Sequence, residues 1–153
     1  MHSTYEEQLR THGTLVYTNV GDSMMPLLRQ NRDLMIIRSL ETNAATGKSV
    51  RCRKYDAVLY KRPSGQYVLH RILKVRPSDY VICGDNRWRR EYGVPDEWIL
   101  GVLTAVVRDG KEIPVTDKRY QFYVHLWCDF YYVRAVIFWL RDLPERIKRK
   151  LGK

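Results

Sequence analysis

The sequence predicts a mainly β domain with a short helix before it and an aromatic, basic helix after it. Three observations carry that expectation. Short β-like runs alternate with turn signals between residues 14 and 115. A capping pattern stands ahead of Gly13. Apolar residues take up helical spacing after residue 118.

The opening helix rests on two overlapping capping boxes, Ser3 with Glu6 and Thr4 with Glu7, and stops at Gly13. The strand-like runs are Thr14 to Thr18, Asp33 to Arg38, Asp56 to Lys61, Gln66 to Val75, Tyr80 to Cys83, Trp98 to Arg108 and Glu112 to Val115. Pro63-Ser64-Gly65, Pro77-Ser78-Asp79 and Asp109-Gly110 supply turns between them. Many short strands joined this way indicate a mostly antiparallel, barrel-like or folded sheet. The polar, small stretch Glu41 to Arg53 reads as a flexible loop. From Tyr120 to Leu140 the composition turns aromatic, with apolar positions 122, 123, 126, 127, 130, 133, 136, 137 and 140 at helical spacing. Pro144 breaks or restarts that helix, and the tail from Arg141 is basic. The expected organisation is a helix over residues 1–13, a β-domain over 14–117 and a helical, basic extension over 118–153.

The chain has 153 residues, enough for one domain with an appended element. Its 44% hydrophobic and 29% charged residues exclude a disordered or collagen-like chain. The 27 Lys and Arg against 17 Asp and Glu leave a net charge of +10, which points to an anionic partner. Nucleic acid and an anionic membrane surface both satisfy it. Cys52, Cys83 and Cys128 are odd in number and lack zinc-ligand spacing, so reduced, buried thiols are expected, with no metal and no cofactor. The polar N-terminus has no signal-peptide pattern, and His125, Asp129 and Arg134 interrupt the apolar helix. A cytoplasmic or membrane-associated protein is therefore expected. Three roles suit the extension: packing on the β-domain with a solvated tail, lying in the headgroup region of an anionic bilayer, or binding a partner as a helix.

One string carries chemistry. Val20 to Arg29 reads VGDSMMPLLR and follows a strand. A Ser on a tight turn exposes its hydroxyl and sets its own N–H beside a reacting carbonyl, as a nucleophile with an oxyanion site requires. Ser23 is the candidate nucleophile, with Gly21, Asp22 and Met24 forming the turn around it. Downstream lie Tyr55 to Tyr60 (YDAVLY), Tyr67 to Val75 (YVLHRILKV), Gly84-Asp85-Asn86-Arg87, Gly93-Val94-Pro95 and Ile99-Leu100-Gly101.

In that order, these segments resemble the boxes of the type I signal peptidase family, which shares a β-fold with the self-cleaving SOS-repressor peptidases. The resemblance covers about residues 21–107. It implies a serine endopeptidase that removes leader or signal segments from precursors without a cofactor. His70, just before Arg71, resembles the general base of the family's Ser-His branch. A neutral imidazole, with an ordinary pKa near 6.5, takes a proton from Ser at neutral pH. Asp85 is the candidate to orient His70, with Asp96 and Glu91 as alternatives. Asp22 could also cap the nucleophile loop.

The chain departs from the family in three places. The stretch Trp88 to Tyr92 is shorter than the family's insertion and lacks its Asp, which leaves the third catalytic group open. Gly21 stands where some members place a hydroxyl, so the oxyanion site falls to backbone N–H, chiefly that of Ser23. The family's N-terminal anchor is not seen, so docking at a membrane falls to the C-terminal helix or to a partner. Two other readings are weaker. Self-cleavage lacks a small-Gly bond before the nucleophile. Nucleic-acid binding through Arg87, Trp88, Arg89 and Arg90 leaves the ordered segments unexplained.

Overall fold

The computed structural model describes residues 4–42, 44–47 and 49–151. The Ser3 capping box, His2, residues 43 and 48 of the expected loop, and Lys153 of the basic tail lie outside them. Helix α1 spans Tyr5–His12. Thr4 caps it reciprocally with Glu7, an arrangement worth about 1 kcal/mol. Gly13 ends it in the left-handed region at φ 66°, and its N–H closes on the Leu9 carbonyl. This conformation is strained for any residue with a Cβ.

Eight strands follow: β1 Thr14–Thr18, β2 Leu34–Ser39, β3 Ala57–Lys61, β4 Tyr67–Val75, β5 Tyr80–Cys83, β6 Glu91–Val94, β7 Ile99–Arg108 and β8 Lys111–Pro114. All pair antiparallel, in the order β1-β2-β7-β3-β4-β5-β6. One side of β7 carries β2. Its other side pairs β3 along the first half and β8 along the second. Among the described residues nothing joins β1 to β6, so the sheet is folded but open; it is not a closed barrel. Strand β6 does not stand out in the sequence because EYGV lacks alternation. It forms by pairing with β5, a case of context outweighing propensity.

Alternation along β3 and β4 sends their side chains to two cores. Leu15, Met35, Ile37, Ala57, Leu59, Leu69 and Leu103 meet in one, together with Met24 and Leu28 from the loop after β1. Val58, Tyr60, Val68, Ile72, Tyr80 and Ile82 form the other. Both faces of β3 and β4 are therefore covered, and β4 is buried from Val68 to Ile72.

The C-terminal segment is three helices, α2 Lys118–Asp129, α3 Tyr131–Arg141 and α4 Leu143–Leu151. The single helix expected over 120–140 bends at Phe130, because Trp127 and Tyr131 are each tied to the loop after β5. Neither Gly nor Pro marks that bend. Asp117 caps α2 through the N–H groups of Arg119 and Tyr120. Tyr120, Val124 and Cys128 pack with Leu27, Tyr55, Leu73 and Val115, so α2 is built into the domain. Cys52, Cys83 and Cys128 are buried thiols. Among the described residues no helix is long and apolar enough to cross a membrane.

Candidate functional site

The loop between β1 and β2 carries Ser23 and is fixed from below. Asp33 is wholly buried and takes hydrogen bonds from Arg29 and Arg108. Burial opposes its charge, but the two guanidiniums outweigh that and hold its pKa at about 2. Asn19 donates to the Gly21 carbonyl at 2.7 Å. Met24 turns into the core, so it anchors the turn and does not line the cavity. Gly21 and Asp22 stay at the surface beside Ser23.

From above, the loop after β5 clamps this turn. Asn86 donates its backbone N–H to the Ser23 carbonyl at 2.8 Å and its side-chain amide to the Asp22 carbonyl at 3.1 Å. Arg87 binds the Asp22 carboxylate at 2.5 Å and holds it below the usual carboxylate range. Asp22 thus ties the Ser23 turn to the loop after β5. Gly84 permits the approach. A Cβ there would lie 2.7 Å from the Ser23 carbonyl oxygen and 3.1 Å from His70 Nε2. Gly84→Ala is expected to push the two apart and cut any Ser23-dependent turnover by at least about tenfold, since small displacements of reacting groups are costly. The unfolding midpoint should move far less, and wild-type turnover by that variant would refute the requirement.

His70 lies on β4 with its ring nine-tenths buried. Burial pushes its pKa down to about 4, and the nearby Glu91 charge offsets this only in part. The imidazole is therefore neutral from about pH 5 upward. An unfolded histidine protonates near 6.5, so the unfolded state gains its proton first as pH falls. Stability falls on this account between about pH 6.5 and 4.

The ring's Nδ1 lies 3.3 Å from the Tyr60 hydroxyl, which in turn lies 2.6 Å from Glu91. Burial disfavours the Glu91 charge, yet hydrogen bonds from Arg62 and Tyr60 keep Glu91 below the ordinary carboxylate range, hence ionised. An ionised carboxylate only accepts, so Tyr60 donates to Glu91 and its oxygen accepts from His70 Nδ1–H. That chain fixes the tautomer and leaves Nε2 with a lone pair on the side of Gly84 and Ser23.

Asp85 does not make this contact. Arg71 binds both its oxygens, Nε to Oδ1 at 2.9 Å and Nη2 to Oδ2 at 2.8 Å, and Tyr123 donates to Oδ2. The expected orienting role is therefore corrected: the Asp85 carboxylate neutralises Arg71, and the group that accepts from His70 is the Tyr60 oxygen, backed by Glu91. Asp96 is elsewhere, bound by Arg51 and Tyr80. Glu91, one of the alternatives, is the acid at the end of the His70 chain. Tyr60 carries no motif of its own in the sequence; it reaches His70 because β3 pairs β4 and sets the two side chains on one face in diagonal register. Arg71 is structural, donating also to the Tyr55 carbonyl.

Ser23 and His70 line one cavity of about 810 Å³ with Gly21, Asp22, Val68 and Glu91. Tyr5 of α1 meets Tyr17 and Tyr67 with tilted rings to make an aromatic wall, and Arg62, Arg87, Arg89 and Arg90 also line the cavity. The C-terminal helices support the same site. Trp127 donates to the Asp85 carbonyl, Tyr131 to the Trp88 carbonyl and Arg141 to the Asn86 amide oxygen. Among the described residues no group of His, Cys, Asp and Glu is placed to hold a metal ion. No protein-family model, curated protein or solved structure matches the chain.

Proposed function

We propose that the chain is a serine endopeptidase of the signal-peptidase type that removes leader or signal segments from precursor proteins or peptides. One observation carries the reading. Gly84 sits against both the Ser23 carbonyl and Nε2 of a buried, neutral His70, and Ser23 and His70 line one open cavity. The mainly β architecture supports the reading at that level, with Ser23 after β1, His70 on β4 and the clamping loop after β5.

In this reading Ser23 Oγ attacks the peptide carbonyl while its proton passes to His70 Nε2. The carbonyl oxygen takes the electron pair and is met by the Ser23 N–H, which is committed to no other group among the described residues. The imidazolium then protonates the leaving amine, and an acyl-enzyme remains. Water, deprotonated by His70, releases the acid and restores Ser23. Tyr60 and Glu91 hold the ring, and the Glu91 charge stabilises the imidazolium that forms each time.

Glu91→Gln tests that assignment through its pH profile. The Glu91 charge raises the His70 pKa, so removing it moves the acid limb of kcat/KM to lower pH. The same change lowers kcat by about 10- to 100-fold, because the imidazolium loses its counter-charge. Tyr60→Phe is expected to lower kcat similarly. A Glu91→Gln enzyme with an unmoved acid limb would show that Glu91 only packs.

The reaction itself is tested by incubating wild type, Ser23→Ala and His70→Ala with a mixed peptide pool in detergent or lipid, read by mass spectrometry. Cuts made by wild type and absent from both variants are expected. Identical cuts in all three would remove the proposal.

A further inference from the structure

Helix α3 buries the opposite side from the one its composition favours. Its buried residues are Tyr131 and Arg134, while Val133, Val136, Ile137 and Leu140 are each more than half exposed. With Phe130, 59% exposed at the helix start, they form one stripe about 120° wide at the helical repeat. Scattered apolar residues at a surface are ordinary, but a contiguous stripe marks a contact. Tyr132 and Trp139 flank it, also exposed.

The charge on the neighbouring faces of α3 and α4 identifies the partner. Arg89 and Arg90 lie against the rings of Trp88, Tyr131 and Tyr132 along an open groove of about 510 Å³. Neither pairs with a carboxylate among the described residues. Arg146 of α4 spans the Trp88 and Trp139 rings, at 5.3 and 5.8 Å, and so joins the groove to a ring that flanks the stripe. Exposed Lys148 and Arg149 follow on α4. The acids nearby are Asp142, already bound by Arg141, and Glu145. Apolar residues, ring flanks and unpaired cations together match the boundary of an anionic bilayer.

We propose that α3 and α4 seat this protein on the surface of an anionic bilayer, with the stripe among the acyl-chain ends and the exposed Lys148 and Arg149 side chains on lipid phosphates. Among the described residues no helix crosses a membrane, so the attachment is interfacial. It does not depend on the peptidase reading. It does place a bilayer one loop from the Ser23 cavity, since Tyr131 and Arg141 hold the loop that clamps Ser23.

Sedimentation of the full chain with vesicles tests it. Phosphatidylcholine alone is compared with phosphatidylcholine containing about one third phosphatidylglycerol. Binding at least about tenfold tighter to the anionic vesicles, and weakened by salt, is expected. Val133→Ser with Ile137→Ser should lower that binding by at least about tenfold without moving the unfolding midpoint, because both side chains are exposed. Lys148→Glu with Arg149→Glu should remove the preference for anionic lipid. No binding to the anionic vesicles at low salt, or equal binding by all variants, overturns the proposal. So does a dimer in solution that Val133→Ser with Ile137→Ser dissociates, which would assign the stripe to a second copy. Loss of peptide cleavage has no bearing on this outcome, and loss of vesicle binding has none on cleavage in detergent.

Discussion

Ser23→Ala is expected to lower cleavage by at least about 10⁴-fold while moving the unfolding midpoint by less than about 2 °C. The asymmetry follows from how Ser23 is held. Its place in the fold depends on a backbone carbonyl that accepts from Asn86, and alanine keeps that carbonyl. The hydroxyl contributes no hydrogen bond within the protein among the described residues, so removing it costs the fold nothing specific. His70→Ala should abolish cleavage to the same degree. It should also cost about 1–3 kcal/mol of stability, because a nine-tenths buried ring leaves a void and the Tyr60 oxygen loses a donor. The double variant is expected to be no slower than either single one, since nucleophile and base act as a unit. Additive losses, with each single variant keeping measurable Ser-independent turnover, would dissolve the pair.

Much of this arrangement could be read from the sequence because it is local. Turn signals bounded the strands within a residue or two, and Thr4, Glu7 and Gly13 gave α1 both its ends. The string around Ser23 and the segment around His70 stand out in the sequence, and the fold brings both residues to one cavity. The supporting contacts do not stand out, because each joins elements distant in the chain. The Tyr60 chain to Glu91 needs β6, whose four residues carry no strand pattern and pair only because β5 offers an edge. Asp85 was assigned to His70 because both sit in chemically marked segments. The register of β4 on β5 sets Arg71 opposite Cys83, two residues before Asp85, and a guanidinium competes better than an imidazole for a buried carboxylate. The bend at Phe130 followed the same logic, with anchoring by Trp127 and Tyr131 overriding an unbroken apolar period.

Asp85→Ala is expected to be the most destabilising single change near the site. The Arg71 and Asp85 side chains are 0% and 1% exposed, and their guanidinium and carboxylate meet through two parallel hydrogen bonds. Burial works against the Arg71 charge, but Asp85 outweighs it and raises the Arg71 pKa, so the guanidinium cannot escape by losing its proton. Removing the carboxylate strands a full charge in the interior, which costs about 3–5 kcal/mol. For a domain of this size the unfolding midpoint should fall by roughly 10–15 °C. Asp85→Leu combined with Arg71→Met removes both charges and should recover much of that loss, as apolar replacements of buried pairs often do. The contrast with Ser23→Ala separates the two roles: one change removes chemistry and spares the fold, and the other weakens the fold on which the chemistry stands. Thermal melts of wild type, Asp85→Ala and the double variant decide it. An Asp85→Ala midpoint within about 2 °C of wild type would show that the pair carries little structural weight. Asp85 would then return as a candidate to orient His70, because a group needed only in catalysis lowers kcat without moving the melt.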